Sequence, residues 1–285
     1  MHTPMHPRAA ALLGREQWVQ RSAEWFEARR EMLTASDAAA ALGVKPYPSY
    51  RGNVRQELLR KKVANEPLVS MFVTHGQRYE DEARDRMAAA MGEACYDVGL
   101  VRHADVPWLG ASPDGVTHSG KLVEIKCPLK RAIQPGVVPH HYYPQIQIQM
   151  EVADVDSTIF VQYKPAHLMP DRVSFMDIVV VERDRQWFAD HKAHLESFWE
   201  EYVAARAASK HAKRRRLDSE LCTTDPQHAA HLDACLINDA LYNDMHGPSS
   251  SSSTSLPSPS TSLPSASLWP SLSSSSESAG LPGKA

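Results

Sequence analysis

At 285 residues, with 42% hydrophobic and 23% charged residues, the chain has the composition of a globular protein of one large domain or two small ones. No apolar run approaches the roughly 20 residues needed to span a bilayer, and the four cysteines lack the regular spacing of a disulfide framework. The net charge of −3 excludes an overall polycation, but active-site carboxylates can cancel a basic groove in such a total, so local charge is the better guide.

Residues 1–17 lack the sustained apolar core of a secretory signal and are expected to form a flexible lead-in to a domain over 18–208. SAEWFEARREM predicts a short helix. SDAAAALG predicts another, with Ser36 as its N-cap and Gly43 as its stop. NVRQELLRKKV is helical in period, and residues 68–91, closed by Gly92, predict a long helix rich in good helix formers. Strands are expected at CYDVGLVRH, PWLGAS and KLVEIKC, with DG and HSG as turn material between them. In PHHYYPQIQIQMEVAD, Ile146, Ile148, Met150 and Val152 alternate as in a strand, while length and position between strands suit a crossover helix. Pattern alone leaves both readings open. STIFVQYK and VSFMDIVVVER read as two more strands. A last amphipathic helix from Asp184 to Ala207 carries Trp187, Phe188, His191, Leu195, Phe198, Trp199 and Tyr202 on one face. The fold class is therefore an α/β domain with mixed strands.

Past that domain the composition shifts. Residues 209–246 read as a basic linker in which Lys213, Arg214, Arg215 and Arg216 resemble a nuclear import signal, which points to the nucleus. From Gly247 the chain is mostly Ser and Pro, the composition of a disordered tail. Cys222, His228, His231 and Cys235 form a compact Cys/His group, but their spacing matches no common finger and no structural Zn2+ is expected there.

The stretch that carries chemistry is GASPDGVTHSGKLVEIKCP, residues 110–128. Alternate side chains of a strand share a face, so Val123, Ile125 and Cys127 form an apolar side while Leu122, Glu124 and Lys126 point the other way. A hairpin through HSG brings Asp114 beside Glu124. Two adjacent carboxylates repel unless a cation lies between them. Mg2+ or Mn2+ suits such oxygen ligands, could activate a water, and would neutralise charge at a phosphorus centre, with Lys126 stabilising the charge that develops.

Pro113-Asp114, a short gap, then Glu124-x-Lys126 within an apolar strand resembles the signature of the PD-(D/E)XK nuclease superfamily. WFEARREMLTASDAAAALG resembles the opening of the lambda-exonuclease-like, YqaJ-type viral recombinase family. HGQRYEDEAR is similar to that family's Gly-x-x-x-Glu helix, and HYYPQIQIQM to its Tyr-Tyr-x-Gln-x-Gln segment. The four blocks follow the family's order from Trp25 to Gln149.

The resemblance implies a central mixed β-sheet flanked by helices, and it makes the PQIQIQM segment helical. It implies that Glu80 joins Asp114 and Glu124 as a metal-site carboxylate and that Ile125 lends its backbone carbonyl. Gln145 would hold a catalytic water or metal, and Arg29 with Ser36 would bind the 5′-phosphate of a DNA end. The implied activity is a Mg2+-dependent (or Mn2+-dependent) exonuclease that digests one strand of linear duplex DNA from a 5′ end. The family's further associations are a single-strand annealing protein as partner and a toroidal trimer; no membrane is implied. The residues themselves leave open an endonuclease of the same fold or a non-catalytic protein that binds DNA ends.

Overall fold

The computed structural model describes residues 4–47, 49–66 and 70–224, with side chains as far as residue 217. Two compact units divide the chain, one running to Tyr202 and the other starting at Val203. The described helices are α1 (Pro7–Leu13), α2 (Ala23–Arg30), α3 (Ala38–Ala41), α4 (Val54–Ala64), α5 (Met71–Met91), α6 (Tyr143–Ala153) and α7 (Arg185–Thr224). The strands are β1 (Leu33–Thr34), β2 (Cys95–Tyr96), β3 (Val101–Arg102), β4 (Leu109–Ala111), β5 (Gly115–Thr117), β6 (Leu122–Lys126), β7 (Ser157–Lys164) and β8 (Phe175–Glu182).

A five-stranded sheet has the order β2-β5-β6-β7-β8 and a smaller one the order β1-β4-β3. In the larger sheet β6 and β7 run parallel and every other pair is antiparallel. A parallel pair needs a crossover connection, and α6 supplies it. That settles the ambiguous segment as a helix. Its alternating pattern has a plain cause: α6 lies between the two sheets, so nine of its residues are buried, Gln147 and Gln149 among them, and no polar face remains to reveal a 3.6-residue period.

Period-two alternation in β6 is observed as expected. Val123, Ile125 and Cys127 enter a core cluster with Ala83 and Met87 of α5 and Ile159, Val161 and Tyr163 of β7. Leu122 and Glu124 are buried on the α6 side. Helix α5 starts where Ser70 Oγ accepts from the Val73 N–H at 3.2 Å, and it ends at Gly92, whose φ of 64° suits a left-handed stop. β7 occupies the STIFVQYK segment from end to end.

Several expectations are corrected. CYDVGLVRH is two strands rather than one: β2 joins the large sheet and β3 the small one. Between them, a side chain at Gly99 would meet the Trp18 carbonyl oxygen at 2.4 Å, so this close crossing admits only glycine. The Asp-Gly pair is not a turn, because Gly115 opens β5. Glycine is required there by crowding, since a Cβ would lie 2.5 Å from Cys95 Sγ. Ser36 does not cap a helix. It lies inside a 3-10 turn (Ala35–Asp37) that begins at Thr34, and α3 follows from Asp37. The segment expected to be a flexible lead-in holds α1, with Ala9 and Leu12 buried. The last helix continues to Thr224, so residues 209–224 are helical rather than a linker, and Lys213 to Arg216 are exposed upon it. His228, His231, Cys235 and the Ser/Pro-rich segment lie outside the described residues, as does the side chain of Cys222. No described helix is long and apolar enough to cross a membrane.

Candidate active site

The β5–β6 hairpin builds the site's centre. Gly115 is paired with Val123, which sets Asp114 beside Glu124 at the hairpin's open end. The Asp114 N–H donates to the Val123 carbonyl at 3.0 Å, and Asp114 Oδ2 accepts from the Ile125 N–H at 2.6 Å. The aspartate is thus locked to the strand that carries Glu124 and Lys126.

Glu124 is 1% exposed, which makes it the most deeply buried charge of the group. It is fully engaged. Oε1 accepts from Gln145 Nε2 at 2.6 Å and is ion-paired with Lys126 Nζ, while Oε2 accepts from Gln149 Nε2 at 2.5 Å. Burying a carboxylate without such partners would be severely unfavourable. Lys126 also lies over the ring of Tyr142, 5.2 Å from its centroid. Burial alone would lower the Lys126 ammonium, but Glu124 and Asp114 outweigh it and hold it above the ordinary lysine range.

Asp114 responds in the opposite sense. Burial, then Glu124 and Glu80, raise its carboxyl well above the usual value, and Lys126 with the Ile125 N–H offset this only in part. Glu80 on α5 is raised as well, chiefly by burial and with Glu124 contributing, although Arg21 (2.9 Å) and Arg84 (3.6 Å) pair with it. Arg21 holds a left-handed backbone, φ 66°, at the start of that contact. A cavity of about 390 Å³ opens beside Glu80, lined by Arg21, Arg84, Asp97 and Gly99 among others. Among the described residues no three or more His, Cys, Asp or Glu side chains are gathered in metal-holding geometry. Glu80 is turned onto its arginines, and the hairpin carboxylates stand as a pair.

A second cluster occupies the corner formed by α2, β1 and the 3-10 turn. Arg29 donates to Ser36 Oγ at 3.1 Å and stacks over Trp25, 4.4 Å from its centroid. Thr34 Oγ1 lies 3.1 Å from Ser36 Oγ and donates to Asp37 Oδ2 at 3.0 Å, and Lys62 Nζ reaches the same oxygen at 2.8 Å. Burial by itself would raise the Asp37 carboxyl, but Lys62 and Arg29 hold it below its usual value. Ser36 is exposed between these charges.

The structure therefore brings Asp114, Glu124, Ile125, Lys126 and Gln145 together, sets Glu80 within electrostatic reach, and joins Arg29 to Ser36 in a separate cluster. Sequence reasoning passed over Gln149, Asp37, Lys62 and Tyr142. The i, i+4 spacing of Gln145 and Gln149 was a usable signal once the helix was known. The contact of Lys62 with Asp37 had none, because 25 residues of chain separate the two.

Residues 24–156 match the model of the YqaJ-like viral recombinase domain. An uncharacterized protein of Acanthamoeba polyphaga mimivirus is 30% identical over 166 residues, 52% of this chain and 30% of that protein. A protein of African swine fever virus is 30% identical over 160 residues, 45% of this chain and 44% of that protein. The chain spans less than half the length of these viral relatives. The crystal structure of an alkaline exonuclease from Laribacter hongkongensis aligns with a TM-score of 0.53 at 30% identity, covering 69% of this chain and 98% of that one. The same exonuclease in complex with dAMP aligns with a TM-score of 0.55 at 27% identity.

Proposed function

The chain belongs to the YqaJ-like viral recombinase family and has the fold of an alkaline exonuclease; from this premise we propose that it is a nuclease of that family, a Mg2+-dependent deoxyribonuclease that digests one strand of linear duplex DNA from a 5′ end. The observation that carries this reading is the convergence of Asp114, Glu124 and Lys126 at the open end of one hairpin, capped by Gln145. A hairpin with a merely structural ion pair has no need of a second carboxylate whose proton affinity is raised by burial and by the first.

The donor set fits a hard divalent cation. Mg2+ is bound through one or two carboxylates together with substrate phosphates rather than by a closed protein cage, so the Asp114–Glu124 pair suffices as an anchor. These two carboxylates and the Ile125 carbonyl would hold it, with Glu80 as a further carboxylate beside them. When bound, the cation supplies Lewis acidity at the scissile phosphodiester and compensates the like charges.

The chain's own residues do the rest. Lys126, held cationic by its two acidic neighbours, stabilises negative charge on the phosphorane-like transition state. Gln145, half-buried and with its amide on Glu124, orients the attacking water at the open side of that carboxylate. Arg29 and Ser36 bind the terminal 5′-phosphate: a guanidinium already stacked on Trp25 loses little freedom on forming a charge-assisted bond to phosphate. The product is a duplex with a 3′ single-stranded end. By family likeness, a single-strand annealing protein is the expected partner and a toroidal trimer the expected assembly. The exposed Lys213–Arg216 run supports import into a nucleus.

The test is digestion of end-labelled linear duplex and closed circular duplex with Mg2+, with Mn2+ and with a chelator. The expected result is loss of label from linear DNA in either metal, protection by chelator, intact circles, and preference for 5′-phosphorylated ends. Cut circles would instead make the protein an endonuclease, and no digestion in either metal would leave an end-binding protein.

A further inference from the structure

Helix α6 carries three glutamines at intervals of two, and the structure divides them by task. Residues i and i+4 of a helix lie about 40° apart around its axis, whereas i and i+2 lie on nearly opposite sides. Gln147 accordingly points away from the hairpin. It donates to the Glu182 carbonyl at 3.0 Å and accepts from the Asp184 N–H at 2.7 Å, which pins the junction of β8 with α7. Gln145 and Gln149 point together at Glu124 and take one carboxylate oxygen each. They differ in depth: Gln145 is half-buried, while Gln149 is 1% exposed and its own Oε1 has no hydrogen-bond partner. Nothing that enters from solvent reaches Gln149.

We propose that Gln149 is a positioning residue for Glu124: its amide holds Oε2 from inside the protein, so that Oε1 is presented at the fixed angle shared by Lys126 and Gln145. The terminal torsion of a glutamate is otherwise broad. A carboxylate gripped at one oxygen still swings, and one gripped at both does not. An unpartnered oxygen on Gln149 is tolerated because the other end of the amide is committed to a buried charge, where a hydrogen bond is worth more than to a neutral group. Groups that orient a ligating carboxylate from behind commonly matter almost as much as the ligand itself. This inference rests on the reading of Glu124 as a cation-holding carboxylate.

Gln149→Met keeps the volume and removes the donor; Gln147→Met does the same at an equally buried position with a purely structural bond. The full-length variants are compared with wild type by Mn2+ calorimetry, by kcat and KM on linear duplex, and by thermal melting without metal. Gln149→Met should weaken Mn2+ binding and lower kcat by roughly 10-fold or more with KM for DNA unchanged. Gln147→Met should lower the melting temperature and leave Mn2+ affinity and kcat within about 2-fold of wild type, because its lost bonds lie at the α7 junction. Wild-type Mn2+ affinity and kcat in Gln149→Met overturn the proposal, and so does an equal loss of Mn2+ affinity in Gln147→Met. Gln149→Leu guards against a folding defect: if both position-149 variants melt as unfolded chains while Gln147→Met folds, Gln149 is a core residue and the proposal falls. Failure of the wild-type arm itself, with neither Mn2+ binding nor hydrolysis, overturns the functional reading and this inference with it.

Discussion

Two aspartates, Asp114 and Asp37, show how one residue type serves opposite ends. Each is partly enclosed, and in each case burial favours the neutral acid. At Asp37 the surroundings supply Lys62 and Arg29, which overcome burial and hold the carboxylate ionised. At Asp114 the surroundings supply Glu124 and Glu80, which add to burial, and Lys126 is already shared with Glu124. One corner has its charges balanced by the protein; the other carries an excess of negative charge that a cation from outside would relieve. The first arrangement favours fold stability, and the second is where we propose that hydrolysis takes place.

The sharpest way to break this comparison is Lys126→Ala, which should lower the hydrolysis rate by about 10²-fold or more while duplex binding persists in a mobility-shift assay. Full activity would remove Lys126 from the chemistry. Next comes the pair Asp37→Asn and Asp114→Asn, measured by chemical denaturation without metal. Asp37→Asn should cost about 2 kcal/mol by leaving Lys62 and Arg29 without their shared anion. Asp114→Asn should be neutral or stabilising at neutral pH, since it removes a carboxylate among carboxylates.

The pH dependence follows from the same signs. The Asp37 carboxyl is lower when folded than the usual ~4, so its contribution is complete above that value and is lost as pH falls through the folded one. The Asp114 carboxyl is higher when folded, so its contribution is complete below ~4 and is lost as pH rises through the folded value. The advantage of Asp114→Asn over wild type should therefore grow with pH.

A smaller effect tests the balanced corner for function. Arg29→Ala or Ser36→Ala should reduce the preference for 5′-phosphorylated over 5′-hydroxyl ends by roughly 10-fold, with little change on the hydroxyl substrate. Equal digestion of both ends by wild type would separate this corner from phosphate binding. The smallest effect concerns the two thiols near the hairpin. Burial pushes Cys95 up to about 11 and Cys127 up to about 12, so both should resist alkylation at pH 8 in the folded protein, as peptide mapping by mass spectrometry would show.

Much of the fold was legible wherever local pattern and tertiary environment agree. β7 is paired on both edges and its segment was read without error, and α5 shows its helix-forming composition and its glycine stop in sequence. The reading failed wherever a residue serves a neighbour distant in sequence. CYDVGLVRH is divided because two sheets claim its ends, Gly115 is small because Cys95 crowds it, and α1 is ordered because Ala9 and Leu12 find a core. Of the candidate site, the shared face of Glu124 and Lys126 and the approach of Asp114 follow from strand alternation and a hairpin. The grip of Gln149 and the pairing of Asp37 with Lys62 do not.

The amino-acid order by itself determined which side chains of β6 face together, because a strand's period of two is a local property of the backbone. It also determined that a carboxylate would follow Pro113 at the neighbouring strand's start. Only the tertiary structure decided that the PQIQIQM segment is a helix, because burial between two sheets erases the periodicity that would have announced it. Only the packing of that helix decided which of its glutamines hold Glu124 and which one pins the β8–α7 junction, because a helix face acquires a role only from what is packed against it.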